Sequence, residues 1–234
     1  MAQLPAGKTL DQTALKQQAA DAAVAGVEDG MVVGLGTGST AALAVAALGV
    51  RVNQGLRIVG IPTSERTADQ ARSMGIPLVG FDTHTAIDLT IDGADEVDIG
   101  TLDLIKGLGG ALLREKIVAA ASRRMTVVVD EGKLVPTLGG VRLPVEVVAF
   151  GAEATLARLN ELGAAAAIRR GPDGPFRTDG GNLIADCGFG PIADPRALHA
   201  AIKSLVGVVE TGLFIGMATR IIAGTQTGPR ILEL

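Results

Sequence analysis

A short acidic segment directly follows one of the most apolar stretches of the chain. Residues 87–91 lead into Asp92-Gly93-Ala94-Asp95, which places two carboxylates three residues apart. Such a pair can hold the hydroxyl groups of a ligand or exchange protons with them. Because ligand sites in open α/β sheets collect at the carboxyl ends of strands, Asp92 and Asp95 are predicted to lie at such a site. An acidic turn exposed to solvent explains the segment equally well, so this pattern alone leaves both alternatives open.

A glycine-rich segment headed by a lysine offers a cation and a base. Lys106 precedes Gly107-Leu108-Gly109-Gly110, and the helix predicted to follow carries Glu115 about one and a half turns in. Lys106 could stabilise a developing oxyanion, and Glu115 could remove a proton from carbon if apolar neighbours raise its pKa. The alternative is that Glu115 belongs to an exposed charge cluster, Arg114-Glu115-Lys116, which is the commoner outcome for such a pattern.

Two further segments could bind an anion. In Gly34-Leu35-Gly36-Thr37-Gly38-Ser39-Thr40, the glycines let several N–H groups turn towards one phosphate, and the N-terminus of the next helix adds positive charge. Thr37, Ser39 and Thr40 would add hydroxyl donors. The spacing fits neither a Walker loop nor a dinucleotide fingerprint, and a turn capped by Ser39 is the alternative. Lys133, in Asp130-Glu131-Gly132-Lys133, could pair with a phosphate or an acidic partner, or be an ordinary exposed lysine.

The composition excludes several classes of function. The 234 residues include no Trp, no Tyr and five Phe, so the aromatic platforms of single-strand nucleic-acid binders have almost nothing to be built from. A formal net charge of -4 argues against a phosphate-backbone binder, and we expect no nucleic-acid partner. The single Cys187 cannot form an intramolecular disulfide, and with His84 and His199 it provides no Cys/His metal framework. We therefore expect no metal site, no catalytic role for these three residues, and a cytoplasmic protein.

The sequence predicts neither a targeting segment nor a membrane partner. Residues 1–8 lack the basic stretch followed by an apolar stretch that a secretory signal requires. The longest run of small apolar residues, 41–50, has ten residues, whereas a helix that spans a bilayer needs about 20.

Short β-branched runs alternate with helical stretches along the first part of the chain. Apolar runs typical of buried parallel strands lie at 31–33, 57–61, 87–91, 126–129 and 145–148. Helical spacing predicts helices at 10–27, 67–74 and 110–122, the first of them capped by Thr9 or Asp11 and ended by Gly30. This alternation predicts an α/β fold built around a mainly parallel sheet.

The pattern changes after Glu146 and predicts a second, smaller α/β unit. Helices are predicted at 155–162 and 195–205, strands at 164–169 and 183–186, and a turn at 171–174. About 65 residues suffice for a modest second core. Since 47% of the whole chain is hydrophobic, disorder is excluded for most of its length.

Taken in order, these segments resemble the ribose-5-phosphate isomerase, type A, family. Each motif is weak alone, whereas the ordered set is highly specific and covers all but about the first eight residues and the loop 169–178. The shared motifs are GLGTGST (34–40), PTSERT (62–67), IDLTIDGADEVD (87–98), KGLGGALLREKIVA (106–119), DEGK (130–133), LPVEV (143–147), GNLIADCGFGPIADP (181–195) and GVVETGLFIGMA (207–218).

The resemblance implies reversible interconversion of ribose 5-phosphate and ribulose 5-phosphate in the non-oxidative pentose phosphate pathway, without a metal or organic cofactor. It implies that Glu115 carries the proton between C1 and C2 through an enediolate, while Lys106 faces the carbonyl oxygen. Asp92 and Asp95 would serve the open-chain hydroxyls and the ring-opening proton transfer. The substrate contacts that it implies are Lys16, Thr37, Gly38, Ser39, Thr40, Gly93, Ala94, Gly107, Leu108, Gly109 and Lys133.

The resemblance also implies a Rossmann-like α/β domain joined to a smaller ferredoxin-like α/β domain. The first is expected at 1–140 and 209–234, because the last strand, near Ile221, returns to it. The second is expected at 141–208. The implied assembly is a homodimer or a homotetramer.

Two positions depart from the family pattern. Leu108 stands where the family usually has glycine, and Gly132 stands where a serine often precedes the lysine. A side chain at position 108 is compatible with the pattern if only the backbone there touches the substrate. With Gly132, the chain lacks the hydroxyl group that a serine would supply at this position. Neither departure changes the proposed base, Glu115.

Two relatives of this fold offer alternative functions. A non-enzymatic sugar-phosphate sensor would carry a DNA-binding helix-turn-helix module in front, and only thirty residues precede the first predicted strand of this acidic chain. A CoA-transferase-like enzyme would not share the full set of motifs. The isomerase is therefore the favoured function.

Overall fold

The computed structural model describes residues 10–233, which form six α-helices, one 3-10 helix (Glu131–Lys133) and sixteen strands. The helices are α1 (Gln12–Val24), α2 (Ser39–Asn53), α3 (Glu65–Ser73), α4 (Leu112–Ala120), α5 (Ala152–Glu161) and α6 (Pro195–Lys203). The strands are β1 (Val32–Leu35), β2 (Val59–Pro62), β3 (Leu89–Asp92), β4 (Glu96–Asp98), β5 (Leu104–Ile105), β6 (Met125–Asp130), β7 (Leu134–Val135), β8 (Leu143–Val147), β9 (Ala167–Ile168), β10 (Arg170–Gly171), β11 (Gly174–Pro175), β12 (Leu183–Cys187), β13 (Val208–Thr211), β14 (Leu213–Phe214), β15 (Arg220–Thr225) and β16 (Gly228–Glu233). The expectations for residues 1–8 and for a Thr9 cap fall outside the described residues. None of these helices has the length and hydropathy needed to cross a membrane.

A six-stranded sheet in the order β16-β15-β6-β3-β1-β2 forms the centre of the fold. Five of its strands run parallel, and β16 pairs antiparallel with β15 at one edge. Strand β6 is buried along its whole length, as expected for a continuous apolar run covered on both faces. The α/β fold with a mainly parallel sheet is confirmed, and the strand that contains Ile221 lies in this sheet.

Helix α1 packs against α2 and β15. Small buried residues let the two helices approach closely: Ala19, Ala20 and Ala23. The Asp11 carboxylate caps the helix by accepting the Ala14 N–H at 2.8 Å. The helix ends at Val24 rather than at Val27 as predicted, because Gly26 turns its N–H back to a carbonyl of the last turn.

A second sheet, β13-β8-β12-β9, is antiparallel and packs with α5 and α6 around a core of its own. Helices α5 and α6 and strand β12 agree with the predictions for this part of the chain. The run 145–148, grouped with the parallel strands, instead forms antiparallel β8, since an apolar run does not encode the direction of its neighbours. The strand predicted at 164–169 shrinks to β9, because the alanines at its start have low strand propensity.

A third sheet, β14-β5-β4-β7, consists of strands of two or three residues. Strands this short leave no detectable periodicity, and the sequence predicted none of them. The sheet nevertheless positions the site, because β5 leads into Lys106 and Asp95 immediately precedes β4.

Candidate active site

A cavity of about 140 Å³ opens at the carboxyl ends of β1, β3 and β6, which are neighbours in the central sheet. Turns after these strands supply much of its wall, as is usual for parallel α/β sheets. Every residue predicted for the site lines this cavity except Asp92 and Leu108. The lining residues are Gln12, Lys16, Thr37, Gly38, Ser39, Thr40, Gly93, Ala94, Asp95, Lys106, Gly107, Gly109, Glu115 and Lys133.

Lys106 is the centre of a buried charge cluster. Its side chain is 2% exposed, and its Nζ lies 3.0 Å from Asp92 Oδ2 and 3.2 Å from Glu115 Oε1. Nζ also donates to the Gly93 carbonyl at 2.6 Å and lies 5.5 Å from the centroid of the Phe214 ring. Lys106 follows β5, Asp92 ends β3 and Glu115 lies in the first turn of α4, so three separate elements bring these charges together.

Burial sets the protonation of this cluster. Removal from water, together with the nearby charge of Asp92, raises the pKa of Glu115 to about 8 against the attraction of Lys106. Burial also raises the pKa of Asp92. Burial alone would lower the pKa of Lys106, but the Asp92 and Glu115 carboxylates outweigh it and raise that pKa above its usual value. One ammonium thus faces two carboxylates whose pKa values are both raised by burial.

Glu115 is not part of an exposed charge cluster, so that alternative is wrong. The residue is 4% exposed, and its Oε2 accepts no hydrogen bond from any residue between 10 and 233. Arg114 and Lys116 lie on other faces of α4, where Arg114 pairs with Glu65 at 2.8 Å and Lys116 pairs with Glu210 at 3.0 Å. Consecutive helical residues point in different directions, which separates the buried base from its charged neighbours.

Asp92 holds the turn that follows β1. Its Oδ1 accepts the N–H groups of Thr37 at 3.1 Å and Gly93 at 2.7 Å. A Cβ at Gly36 would lie 2.3 Å from this oxygen, so only glycine fits there. Asp92 is fully buried and does not line the cavity, and its contacts are with the loop and with Lys106.

The turn 37–40 leads into the N-terminus of α2 and faces the cavity. Gly38, which precedes the helix, has a φ of 120°, a conformation that side chains rarely adopt. Lys16 of α1 donates from Nζ to Ser39 Oγ at 3.1 Å. A helix N-terminus and a lysine thus meet at one wall, where an anion is favoured.

Hydroxyl groups of the PTSERT motif support this turn from behind. Thr37 Oγ1 lies 2.7 Å from Thr63 Oγ1, 2.8 Å from Ser64 Oγ and 3.0 Å from Thr67 Oγ1, and all four residues are buried. Ser64 also caps α3 by accepting the Thr67 N–H at 3.1 Å. No role for this motif follows from the sequence alone, and these contacts show that it supports the turn.

The glycine-rich segment after Lys106 presents its backbone to the site. The Leu108 N–H donates to Asp95 Oδ2 at 2.9 Å. The Leu108 side chain is 44% exposed and does not line the cavity, whereas Gly107 and Gly109 do. Leucine is therefore compatible with a position where the family pattern has glycine.

The turn after β6 brings Lys133 to the cavity. Asp130 Oδ1 caps this turn by accepting the Gly132 N–H at 3.2 Å, and its Oδ2 accepts a hydrogen bond from Gln12 Nε2 at 3.3 Å. Gln12 also lines the cavity, although it is not among the residues predicted for the site. The signal that could have found it is its position one helical turn before Lys16 on the same face of α1.

The two histidines and the cysteine do not line the cavity. Burial raises the pKa of the Cys187 thiol to about 12, so this residue is a buried apolar group as predicted. His199 Nδ1 lies 2.7 Å from Thr211 Oγ1, and His84 contacts Thr83 in a surface turn. Within the described part of the chain, no group of three or more His, Cys, Asp or Glu side chains could hold a metal ion.

Comparisons with known proteins point to one family. A sequence model of the family described as Ribose 5-phosphate isomerase A (phosphoriboisomerase A) matches residues 59–228. The chain is 58% identical over 224 residues to a ribose-5-phosphate isomerase A of Gloeobacter violaceus, in a match that covers 95% of this chain and 97% of that protein.

Solved structures agree with the sequence comparisons. Ribose 5-phosphate isomerase A from Methanocaldococcus jannaschii has a TM-score of 0.91 and 43% identity over 94% of this chain and 98% of its own. A D-ribose-5-phosphate isomerase in complex with phospho-erythronic acid has a TM-score of 0.93 and 40% identity over 96% of this chain and 100% of its own. With a family match over most of its length and relatives this similar, the chain belongs to the ribose 5-phosphate isomerase A family.

Proposed function

We propose that this chain interconverts ribose 5-phosphate and ribulose 5-phosphate through an enediolate, a reaction of the non-oxidative pentose phosphate pathway. Its membership of the ribose 5-phosphate isomerase A family supports this activity. The observation that carries the mechanism is the placement of Glu115, a buried base with a pKa of about 8, beside the Lys106 ammonium in the cavity wall.

Glu115 takes the proton from C2 of the open-chain aldose and returns it to C1, while the proton of the C2 hydroxyl passes to the C1 oxygen, which gives the ketose. Lys106 holds Glu115 Oε1 at 3.2 Å, and Oε2 has no hydrogen-bond partner among residues 10–233, which leaves Oε2 to meet the C–H bond. A pKa near the working pH suits a group that must accept and then donate the same proton. One positioned base of this kind contributes about a hundredfold to ten-thousandfold in rate.

Lys106 stabilises the negative charge that develops on the substrate oxygen as the C–H bond breaks. Its ammonium is fixed in place by two carboxylates and a carbonyl before the substrate arrives. A preorganised donor costs no reorganisation during the reaction, and deletion of one such donor costs about 2.7 to 4 kcal/mol.

Asp95 serves the hydroxyl groups of the substrate, including the proton transfer that opens the sugar ring. It lines the cavity, and the Leu108 N–H orients its carboxylate. Asp92 lies beneath Lys106, so we propose that it acts through Lys106 and through the turn that it holds at Thr37. Direct contact with the hydroxyls, which the resemblance implies for both aspartates, then falls to Asp95.

The phosphate group binds at the turn 37–40 with Lys16 and Lys133. A helix N-terminus and two lysines line the same cavity, which is the combination that binds phosphate in proteins. A family member solved with phospho-erythronic acid supports a phosphorylated ligand in this fold. The phosphate anchors the substrate in the ground state and in the transition state alike. The remaining proposed contacts are Gly93, Ala94, Gly107, Leu108 and Gly109.

We propose the organisation expected from the sequence: a Rossmann-like domain at 1–140 and 209–234 and a ferredoxin-like domain at 141–208. The separate antiparallel sheet and its own core support the smaller domain. A homodimer or homotetramer in the cytoplasm, with a small sugar phosphate and neither nucleic acid nor membrane as partner, completes the proposal. The net charge of -4 supports the exclusion of nucleic acid, and a single cysteine fits a reducing compartment.

Incubation of the purified protein with ribose 5-phosphate in heavy water tests this function. We expect ketose to form, with deuterium at C1 of the ketose and at C2 of the recovered aldose, because the proton held by Glu115 exchanges with solvent. A protein that binds ribose 5-phosphate but forms no ketose would instead be a sugar-phosphate sensor.

The variant Glu115→Gln tests the assignment of the base. We expect it to bind inorganic phosphate as the wild type does and to lose about a thousandfold in turnover. Glu153→Gln, on the exposed side of α5, is the matched control and should retain full activity. Near-normal turnover of Glu115→Gln would reject Glu115 as the base.

A further inference from the structure

Arg169 reaches the glycine-rich segment from outside the cavity. It lies between β9 and β10, and its Nη1 donates to the carbonyl oxygens of Gly107 at 3.0 Å and Leu108 at 2.9 Å. Asp186 of β12 fixes the rest of the guanidinium, which donates from Nε to Oδ2 at 3.0 Å and from Nη2 to Oδ1. The two side chains are 14% and 22% exposed. A guanidinium held on two sides in this way is a rigid donor.

Phe176, from the same hairpin, supplies a second contact. The Arg169 guanidinium carbon lies 5.8 Å from the centroid of its ring. The ring packs on Gly110, where a Cβ would lie 2.4 Å from Phe176 Cε1. The outer side of the glycine-rich segment is therefore covered by an arginine and an aromatic ring.

The peptide between Gly107 and Leu108 is held at both ends. Its carbonyl oxygen accepts from Arg169 Nη1, and its N–H donates to Asp95 Oδ2 at 2.9 Å. Because a peptide unit is planar, a contact that fixes the carbonyl also fixes the direction of the N–H. The Gly107 backbone, with a φ of 109°, has the conformational freedom of glycine, so these contacts determine the orientation of the plane.

We propose that Arg169 is a positioning residue for the isomerisation: it holds the Gly107–Leu108 peptide plane so that the Asp95 carboxylate meets the sugar hydroxyls in a fixed orientation. This inference rests on the proposed function. Arg169 does not line the cavity and acts through the glycine-rich segment. The small antiparallel sheet, through Asp186, thereby takes part in catalysis without contributing a group that touches the substrate.

The variant Arg169→Met removes the donors and keeps the length of the side chain. We expect kcat for ribose 5-phosphate to fall about 30- to 100-fold, since a misplacement of about 1 Å can cost about 100-fold. The KM and the inhibition constant of inorganic phosphate should change by less than about threefold, because the turn 37–40, Lys16 and Lys133 are untouched. Arg170→Met, at the exposed neighbouring arginine, is the matched control and should retain wild-type kcat.

Two further variants separate positioning from structural support. Arg169→Met leaves Asp186 without its partner, whereas the double variant Arg169→Met/Asp186→Asn also removes that charge. We expect the double variant to have the same midpoint of urea unfolding as the wild type and to keep the low kcat of the single variant. In Arg169→Lys, one ammonium can reach one of the two carbonyls. We therefore expect the kcat of Arg169→Lys to be about tenfold higher than that of Arg169→Met.

The kcat values of the variants are compared at equal concentrations of folded protein, which far-UV circular dichroism measures, and this comparison tests the proposal. A kcat of Arg169→Met or of the double variant equal to that of Arg170→Met would overturn it, and so would a loss confined to KM. If Arg169→Met does not fold, the kcat values of the double variant and of Arg169→Lys, each compared with that of Arg170→Met, test the proposal instead. An inactive wild-type protein would reject the proposed function itself, which keeps the two failures distinct.

Discussion

The Lys106 ammonium lies 3.2 Å from Glu115 Oε1, and Asp92 Oδ2 lies 3.0 Å from the same nitrogen. A single positive charge therefore serves two buried carboxylates, so their protonation equilibria are linked. Burial, together with the nearby charge of Asp92, outweighs the attraction of Lys106 and raises the pKa of the proposed base to about 8, above the ordinary 4.5. Titration of the cluster is the most direct check of the proposed mechanism.

The pH profile of kcat/KM should show an acid limb with an apparent pKa of about 8. Activity falls below that pH because Glu115 is protonated in the free enzyme and cannot accept the C2 proton, and kcat/KM reports the ionisation of the free enzyme. Steady-state rates with ribose 5-phosphate across the neutral and alkaline range measure the limb. An acid limb near 4.5, the value of an ordinary glutamate, would contradict the assignment.

Asp92→Asn should move this acid limb to lower pH by at least about one unit. The Asp92 charge is one of the causes that raise the pKa of Glu115, and asparagine keeps the oxygen that accepts the Thr37 and Gly93 N–H groups without carrying that charge. The pH profile of the variant, beside that of Glu153→Gln, measures the shift. A limb that stays in place would show that burial alone sets the pKa of Glu115.

Glu115→Gln should stabilise the protein at alkaline pH. The folded-state pKa of about 8 lies above the ordinary value of 4.5, so between these values the folded state holds a proton that the unfolded state has lost. The wild-type free energy of unfolding therefore falls as pH rises through this window, and glutamine removes that loss. The free energy of unfolding of the variant, measured with urea, should be close to that of the wild type at pH 5 and higher by about 1 to 3 kcal/mol at pH 9. A difference that does not change between the two pH values would contradict the raised pKa.

Much of the fold follows from the sequence because the central strands are continuous apolar runs. The runs 57–61 and 126–129 overlap β2 and β6, and the helical spacing of 195–205 overlaps α6. Pairing direction and very short strands do not follow, since β8 has the same apolar pattern as a parallel strand and β4 and β5 are too short for any period. These features depend on which segments meet in space.

The sequence indicates which residues belong to the site, but it does not indicate how their charges are buried and paired. The glycine turn and the Asp92–Asp95 pair follow strands, so their meeting at one edge of the sheet could be predicted. The burial of Glu115 could not, because Arg114 and Lys116 beside it give the segment the pattern of a solvated helix face. Gln12 is a neutral amide with no evident chemistry of its own, and only its position one helical turn before Lys16 indicates that it faces the site.

Leu108→Gly should leave kcat/KM within about threefold of wild type. The Leu108 side chain is outside the cavity, and the contact with Asp95 comes from its backbone N–H. The free energy of unfolding should fall by about 0.4 to 1 kcal/mol, because glycine raises the conformational entropy of the unfolded chain. Gly107→Ala is the contrasting variant and should lose activity, since its Cβ would lie 2.8 Å from a Leu112 methyl group at a φ of 109°. A large change in kcat/KM for Leu108→Gly would mean that the side chain touches the substrate.

Lys133→Met should raise KM for ribose 5-phosphate about 10- to 100-fold, the equivalent of one charge-assisted hydrogen bond of about 1.5 to 3 kcal/mol. Lys133 lines the cavity on the turn capped by Asp130, apart from the Lys106 cluster, so its loss should weaken phosphate binding in the ground state and the transition state alike. The kcat should then change little, because uniform binding affects KM alone. The inhibition constant of inorganic phosphate should rise with KM, and Lys203→Met, which removes a lysine outside the cavity, should change neither. A fall in kcat at unchanged phosphate inhibition would place Lys133 at the reacting end of the sugar.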